Sequence, residues 1–500
     1  MDKYTNPLCE RYASDEMQYI FSSDNKFSTW RKLWVALAES QQELGLKATS
    51  SCSDVVKPNC DNLNTKDFRG CLSITTEQIT EMKANINNIN YDTAKKFEEK
   101  TRHDVMAHIL AFAKQCPLAK PIIHLGATSC YVGDNTDIIV QRSALLLIKK
   151  LLVNTIAKLS EFADKHKSLE CLAYTHFQAA QPTTVGKRAT LWIQDLMFDF
   201  EQLDFTLCNL KLLGCKGTTG TSASFLSIFD GDHEKVKELE QKIAEKMGFT
   251  EVYSVSGQTY SRKVDYYILS VLSGIAQSAY KFSNDIRLMS HMKELDEPFE
   301  STQVGSSAMA YKRNPMRSER IASLARYVTV NALNPALTAS SQWLERTLDD
   351  SANRRISIPE AFLATDAILS LMFNITNGMT IYPNIIKKHL KEELPFMATE
   401  NILMYCVKKG KDRQILHERI RIHSTETAKK IKLQGGENDL ISRIAKDSEF
   451  DISTKELNKL LETEQFTGRA KEQTEEFLQQ VKIILNENAE LLGMDIDIKI

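Results

Sequence analysis

The sequence predicts an all-α protein, and three observations carry that reading. Only 19 glycines and 11 prolines occur in 500 residues, about half the usual share. Few turn residues mean few turns and long elements. The long periodic segments are also rich in helix formers, with apolar residues three and four positions apart. The length suggests about three domains or one very large helical body, with ample chain for a core.

The first helix is expected over 27–46, where Trp30, Leu33, Trp34, Leu37 and Leu44 form one stripe and Gly45 ends it. Residues 47–74 are polar and poor in apolar side chains, and read as a surface insertion. Cys52, Cys60 and Cys71 lie in it at irregular spacing without an interleaved histidine, so a solvated loop fits better than a metal site. Thr75 with Gln78 forms a capping-box pattern for the next helix. A helix over about 92–115 places Val105, Ile109 and Phe112 on one face. The hydroxyl-rich segment 122–137 breaks the periodicity and reads as a loop.

Long helices are expected near 137–167, 183–213, 232–248 and 259–294, with a loop at 216–224. That loop matches neither GxxxxGK[ST] nor GxGxxG, so the pattern gives it no nucleotide role. Asn314 suits an N-cap and Pro315 a first helical position, for a helix running to about 333. A further helix covers 351–378, and Pro383 marks a boundary. Shorter helices and a charged tail follow.

Lysine and arginine total 63, aspartate and glutamate 65, giving a net charge of −2. That balance argues against a general nucleic-acid binder or a membrane-surface protein. The first residues are polar, without the apolar run of a signal peptide, and no stretch of 18 uninterrupted apolar residues is present. The ten cysteines contain no CxxC pair and read as reduced thiols of a cytoplasmic protein.

Four segments could carry chemistry. GSSAMAYKRNPMRSER (305–320) sets glycine and two serines before Lys312, Arg313, Arg317 and Arg320 at a helix start. Backbone N–H groups, hydroxyls and the helix dipole make this an anion site on a loop, or else a solvated basic turn. In TRHDVMAH (101–108), His103 and His108 are five apart, too far for a helical metal pair. His108 reads as structural, and Arg102, His103 and Asp104 as a surface ion cluster. In THFQAAQPTT (175–184), His176 sits on a loop among hydrogen-bonding neighbours, which suits a general acid or base as well as an ordinary exposed histidine. In WLERTLDDSANRRIS (343–357), Ser351 and Arg355 share a helix face. Asp350 and Arg354 form an i,i+4 pair, leaving Arg346 and Arg355 for a carboxylate or phosphate. Together these groups suit elimination from a polyanion better than hydrolysis, since no GxSxG elbow appears.

With these segments in view, SSAMAYKRNP resembles the signature SSxMPxKxN of the fumarase/aspartase superfamily. RHDVMAH, LGATSCYVGDNTD, THFQ, GQTYSRKVD, KRNPMRSER, ERTLDDSANRR and ELPFMATEN are similar to the adenylosuccinate lyase family of animal type. The resemblance covers nearly all of the chain except 47–74. It implies three helical domains, at 1–128, 129–381 (the long-helix bundle) and 382–500. It implies a homotetramer whose active sites draw on three subunits, acting in purine synthesis on adenylosuccinate and on succinylated aminoimidazole carboxamide ribotide. Fumarate would be released from both, with no metal or organic cofactor.

By the same match Ser306 is the base, His176 the acid and Glu319 the group that orients the histidine. Lys312 and Asn314 would stabilise the dianionic intermediate. The nucleotide half would be held by Arg11, Tyr12, Arg102, His103, Asp104, Thr128, Ser129, Gln258, Arg320, Arg346, Ser351 and Arg355. A sister lyase such as argininosuccinate lyase would have no phosphate for the arginines near 346–355. A relative that had lost activity would have no reason to keep Ser306, His176, Lys312 and Asn314. Ala310 and Ala179 stand where the patterns have proline, which leaves the loop around 310 with more conformations to lose on closure.

Overall fold

The structure, a computed structural model, describes residues 2–46, 74–300, 303–496 and 498. The expected insertion, apart from Ile74, lies outside the described residues, as do Cys52, Cys60 and Cys71.

The amino-terminal part holds α1 (Asp15–Ile20), α2 (Ser23–Glu43), α3 (Thr76–Ala84), α4 (Tyr91–Thr101) and α5 (Asp104–Gln115). Helix α2 starts one turn earlier than the apolar stripe suggested, because the Ser22 side chain accepts from the Asn25 N–H. The capping box of Thr75 and Gln78 is formed. The helix expected over 92–115 is two helices. Arg102 adopts the left-handed conformation at φ 52° and ends α4, and His103 then opens α5, its Nδ1 accepting from the Met106 N–H.

The central part holds α6 (Ser129–Lys165), strands β1 (Glu170–Thr175) and β2 (Gln178–Thr184), α7 (Val185–Asn209), α8 (Ala223–Ile228), α9 (His233–Lys246) and α10 (Lys263–His291). After β3 (Leu295–Asp296) come α11 (Met316–Asn331), α12 (Leu333–Ser340) and α13 (Asp350–Gly378). The expected loop over 122–137 ends at Thr128, and 129–137 is already helical: apolar Cys130, Tyr131, Val132 and Ile138 are buried beside polar Asp134 and Asn135, a pattern that hides the period. Helices α6, α7, α10, α11 and α13 pack side by side as a bundle. In α10, Ile268, Leu272, Ile275, Ala279, Phe282 and Ile286 are fully buried at alternating spacings of four and three, the seam of bundle packing. Burial of each large side chain is worth about 1.5–3 kcal/mol. Helix α13 is long and apolar enough to cross a bilayer by length and composition, but its apolar window is mostly buried among its neighbours, as in a core helix.

Strand β4 (Thr380–Ile381) pairs with β3. Helices α14 (Pro383–Met397), α15 (Thr399–Lys408), α16 (Arg413–Gln434), α17 (Leu440–Lys446) and α18 (Thr454–Leu460) follow, and α19 (Ala470–Glu487) returns to pack on α6 and α7. A second core of Ala398, Ile402, Cys406, Leu416, Leu440, Ile444, Phe450 and Leu457 lies among α15 to α18.

Candidate active site

A cavity of about 840 Å³ opens where α2, the α4–α5 break, the start of α6 and the start of α13 meet. Arg102, His103, Asp104, Ser129, Arg346, Ser351 and Arg355 all line it. Helix α6 begins at this cavity with no side-chain cap from Thr128, and α13 begins there with none from Asp349. Two uncapped helix N-termini thus present backbone N–H groups to one space, and the arginines add full charges. Lys26 of α2 reaches the same cavity, its ammonium over the Phe27 and Trp30 rings, and burial lowers its pKa. His108 stacks on Phe27, and burial holds it near pKa 4, a neutral structural group as its position suggested.

Arg355 points out, 65% exposed, with Asp104 at 3.4 Å. Arg346 is less free than expected, since its guanidinium meets the Cys130 sulfur. Burial pushes that thiol up to about 12, so it stays protonated and donates to Gln258 Oε1 at 3.6 Å. The Gln258 backbone N–H in turn donates to the Glu345 carbonyl at 3.1 Å. A Cβ on Gly257 would lie 2.3 Å from that carbonyl oxygen, so only glycine allows this approach.

The cavity floor is a buried ion network. Arg262 Nη1 donates to Asp134 at 2.9 Å and its Nε to Asp350 at 2.7 Å. Arg354 Nε donates to Asp265 at 2.7 Å, and its Nη1 meets Asp137 at 2.9 Å. The expected Asp350–Arg354 pair is therefore replaced: each group pairs with a buried, oppositely charged side chain from α10 or its start. Burial is the largest single influence on both arginines and lowers them, but their carboxylate partners outweigh it and leave both raised. Burial likewise pushes Asp265 up, but Arg354, Arg262 and the Tyr260 hydroxyl together hold it below its usual range.

A smaller cavity of about 170 Å³ is lined by Tyr12 and Arg320, the guanidinium 5.4 Å from the ring centre. Arg11, exposed, and Tyr12 end a short π-helix, Leu8–Tyr12.

The segment 305–314 folds into a closed loop. Asn314 Nδ2 donates to the Gly305 carbonyl at 2.9 Å, and a Cβ on Gly305 would lie 2.2 Å from the Lys312 carbonyl oxygen. Asn314 is thus not the N-cap of α11. The Glu297 carboxylate caps that helix, accepting from Arg317 N–H at 3.0 Å and Ser318 N–H at 2.7 Å. Arg317 is buried against Pro298 and Glu300 and is structural. Ser306 Oγ accepts from the N–H groups of Met309 at 3.1 Å and Ala308 at 3.3 Å. Lys312 and Glu319 are exposed.

His176 was expected on a loop before a helix. It sits instead at the tip of a hairpin, where Thr175 pairs with Gln178 across two residues, His176 at φ 53° and Phe177 at φ 55°. Two successive left-handed residues are the primed turn of a tight hairpin, although neither is glycine. The run ECLAYTHFQAAQPTT lacks the usual turn dipeptide, which is why the hairpin was not legible. The tip is exposed.

One cavity therefore gathers seven of the expected nucleotide-half residues, and a second brings Tyr12 to Arg320. Neither is lined by His176 or Ser306.

Residues 11–329 match the lyase family model, and residues 395–477 match the model of the adenylosuccinate lyase C-terminus. The adenylosuccinate lyase of Saccharomyces cerevisiae is 49% identical over 481 residues, covering 96% of this chain and 95% of the relative. That of Schistosoma mansoni is 46% identical, covering 95% and 94%. The chain belongs to the adenylosuccinate lyase family.

The crystal structure of 3-carboxy-cis,cis-muconate lactonizing enzyme from Pseudomonas putida superposes with a TM-score of 0.78 at 19% identity, covering 96% of this chain and 99% of that one. At that identity the likeness speaks for the all-α fold alone. As an adenylosuccinate lyase family member the chain is a lyase. Sequence reasoning overlooked Lys26, Cys130 and the Arg262–Asp134–Asp350 group. Asp134 and Arg262 stood inside quoted motifs, but spacing along the chain says nothing of a pairing 128 residues apart.

Proposed function

We propose that the protein eliminates fumarate from adenylosuccinate, giving AMP, and from succinylated aminoimidazole carboxamide ribotide, giving the free carboxamide. The observation that carries this reading is the 840 Å³ cavity, where two helix N-termini, Lys26 and Arg102, Arg346 and Arg355 converge above the Arg262 and Arg354 floor on a space fit for a phosphorylated polyanion. Phosphate and ribose would lie against Arg346, Ser351 and Arg355, with Arg102, His103, Asp104, Thr128, Ser129 and Gln258 around the rest. Arg11, Tyr12 and Arg320 would complete the site.

Ser306 takes the proton from the carbon beside a substrate carboxylate, which becomes an aci-carboxylate dianion. The C–N bond then breaks with its electron pair going to nitrogen, His176 supplies a proton there, and fumarate leaves. A serine needs help to act as base, because its alkoxide is costly. The two backbone N–H groups aimed at Ser306 Oγ stabilise that alkoxide. Lys312 and Asn314 stabilise the dianion, each donor of this kind being worth about 3 kcal/mol of barrier. Glu319 orients His176.

These groups are spread over separate surfaces of one chain, which supports an assembly in which neighbouring copies complete each site. Leu191, Phe198 and Phe205 on α7 are 49%, 57% and 66% exposed at spacings of seven. Such an apolar seam fits helix-to-helix association of copies, as in the expected homotetramer. The described cysteines are free thiols, which supports a reducing, cytoplasmic setting.

The test is fumarate and AMP release from adenylosuccinate by the purified protein. Turnover that Ser306→Ala abolishes is the expected result; no fumarate, or an unaffected Ser306→Ala protein, overturns the reading.

A further inference from the structure

The His176 hairpin has no helix of its own, and its strands carry an irregularity. Leu172 pairs with Pro182 but Tyr174 with Ala179, so two residues of β2 oppose Ala173 alone. A bulge of this kind bends a hairpin and re-aims its tip. One side chain from outside the hairpin holds the backbone at this point. Arg188 of α7 donates through Nη2 to the Leu172 carbonyl at 2.7 Å. Its Nη1 faces Glu294 Oε2 at 3.8 Å.

Glu294 is fully buried, and its main chain is fixed on both sides: its N–H donates to the Met289 carbonyl and its carbonyl accepts from Tyr382. Oε1 meets His389 Nδ1 of α14 at 2.9 Å, while Oε2 has no hydrogen-bond partner. A buried carboxylate oxygen without a partner is costly. Arg188 could satisfy it by moving less than 1 Å, but would then stretch its bond to the hairpin. Nη1 also reaches the Met289 sulfur at 3.9 Å, so the guanidinium is held between acceptors of the bundle, Glu294 and Met289, and one in the strand that leads to His176.

We propose that Arg188, set by Glu294 and His389, is a positioning residue that aims the His176 hairpin for proton transfer. This rests on the reading of His176 as proton donor. Arg188 does not line the nucleotide cavity, so its loss should change the reacting step and leave substrate binding intact. A misplacement of about 1 Å costs up to roughly 100-fold in rate.

The experiment is a kinetic cycle on the full-length protein with adenylosuccinate. Arg188→Met should lower kcat about 10- to 100-fold with KM within about twofold, and Arg188→Lys, which keeps a donor, should recover part of the loss. In a His176→Gln background, Arg188→Met should cost nothing further, because the group it aims is gone. An unchanged kcat in Arg188→Met beside a crippled His176→Gln protein overturns the positioning role alone. So does a loss in the double variant equal to the product of the single losses, as general destabilisation would give. A fully active His176→Gln protein overturns the proton-donor reading and the positioning role with it. Should Arg188→Met fail to fold, Arg188→Lys in both backgrounds supplies the same cycle.

Discussion

The side-chain amide of Asn314 donates to the carbonyl oxygen of Gly305 at 2.9 Å, tying the two ends of the serine loop together. The sequence suggested a helix cap for this asparagine. Its place in the loop gives it a different consequence. Asn314→Ala should release the loop and remove a donor from the dianion, lowering kcat by roughly 100-fold, about 3 kcal/mol. The unfolding midpoint should hardly move, because the cap of α11 belongs to Glu297. Steady-state fumarate release and thermal unfolding check the two halves of this prediction.

Ser306 and His176 lie on separate segments, and the cavity that gathers the nucleotide-half residues contains neither. Mixing inactive Ser306→Ala and His176→Ala proteins under conditions of subunit exchange should therefore restore activity, since some sites would draw both native groups from different chains. Absence of recovery, with exchange verified by a mass tag, means that one chain supplies both.

Arg262 is 3% exposed and answers two buried carboxylates, Asp134 and Asp350. Arg262→Met leaves both without their cation and should cost about 3–5 kcal/mol of stability. Adding Asp350→Asn should recover part of the loss by removing one uncompensated charge. Denaturant unfolding at pH 7 measures both.

Burial pushes the Asp199 carboxyl up to about 7, far above its ordinary 3.8. Its Oδ2 has no hydrogen-bond partner, and it packs against Gly274 between α7 and α10. The folded state thus keeps a proton that the unfolded chain gives up near pH 4. This contribution to stability is whole below pH 4 and is lost as the pH rises through 7. Asp199→Asn should remove that slope and make the protein more stable at pH 8 by about 2–4 kcal/mol. Unfolding midpoints at pH 5 and pH 8 test the sign. A wild-type protein that gains stability relative to Asp199→Asn over that interval contradicts it.

The long bundle helices were legible because burial on one face imposes a period on the chain, as the Ile268–Ile286 seam shows. The start of α6 was not, since buried Asp134 and Asn135 interrupt that period where the helix meets the cavity. The His176 hairpin was hidden because its left-handed turn is built from histidine and phenylalanine, residues that carry no turn signal. Site chemistry was visible as residue types near the right motifs. Its pairings were not: Arg262 meets Asp350 across 88 residues and Arg354 meets Asp265 across 89, and only the folded chain brings such distant positions together.

The interruption between α4 and α5 changes what three adjacent side chains can do. On an unbroken helix, neighbours diverge by about 100° per residue, so a guanidinium, an imidazole and a carboxylate in a row would face three directions. The left-handed turn at Arg102 makes a corner of the chain, and Arg102, His103 and Asp104 all meet the same space. The left-handed Arg102 and the extended His103 thereby set a cation, a ring and an anion from three consecutive positions along the wall of one cavity.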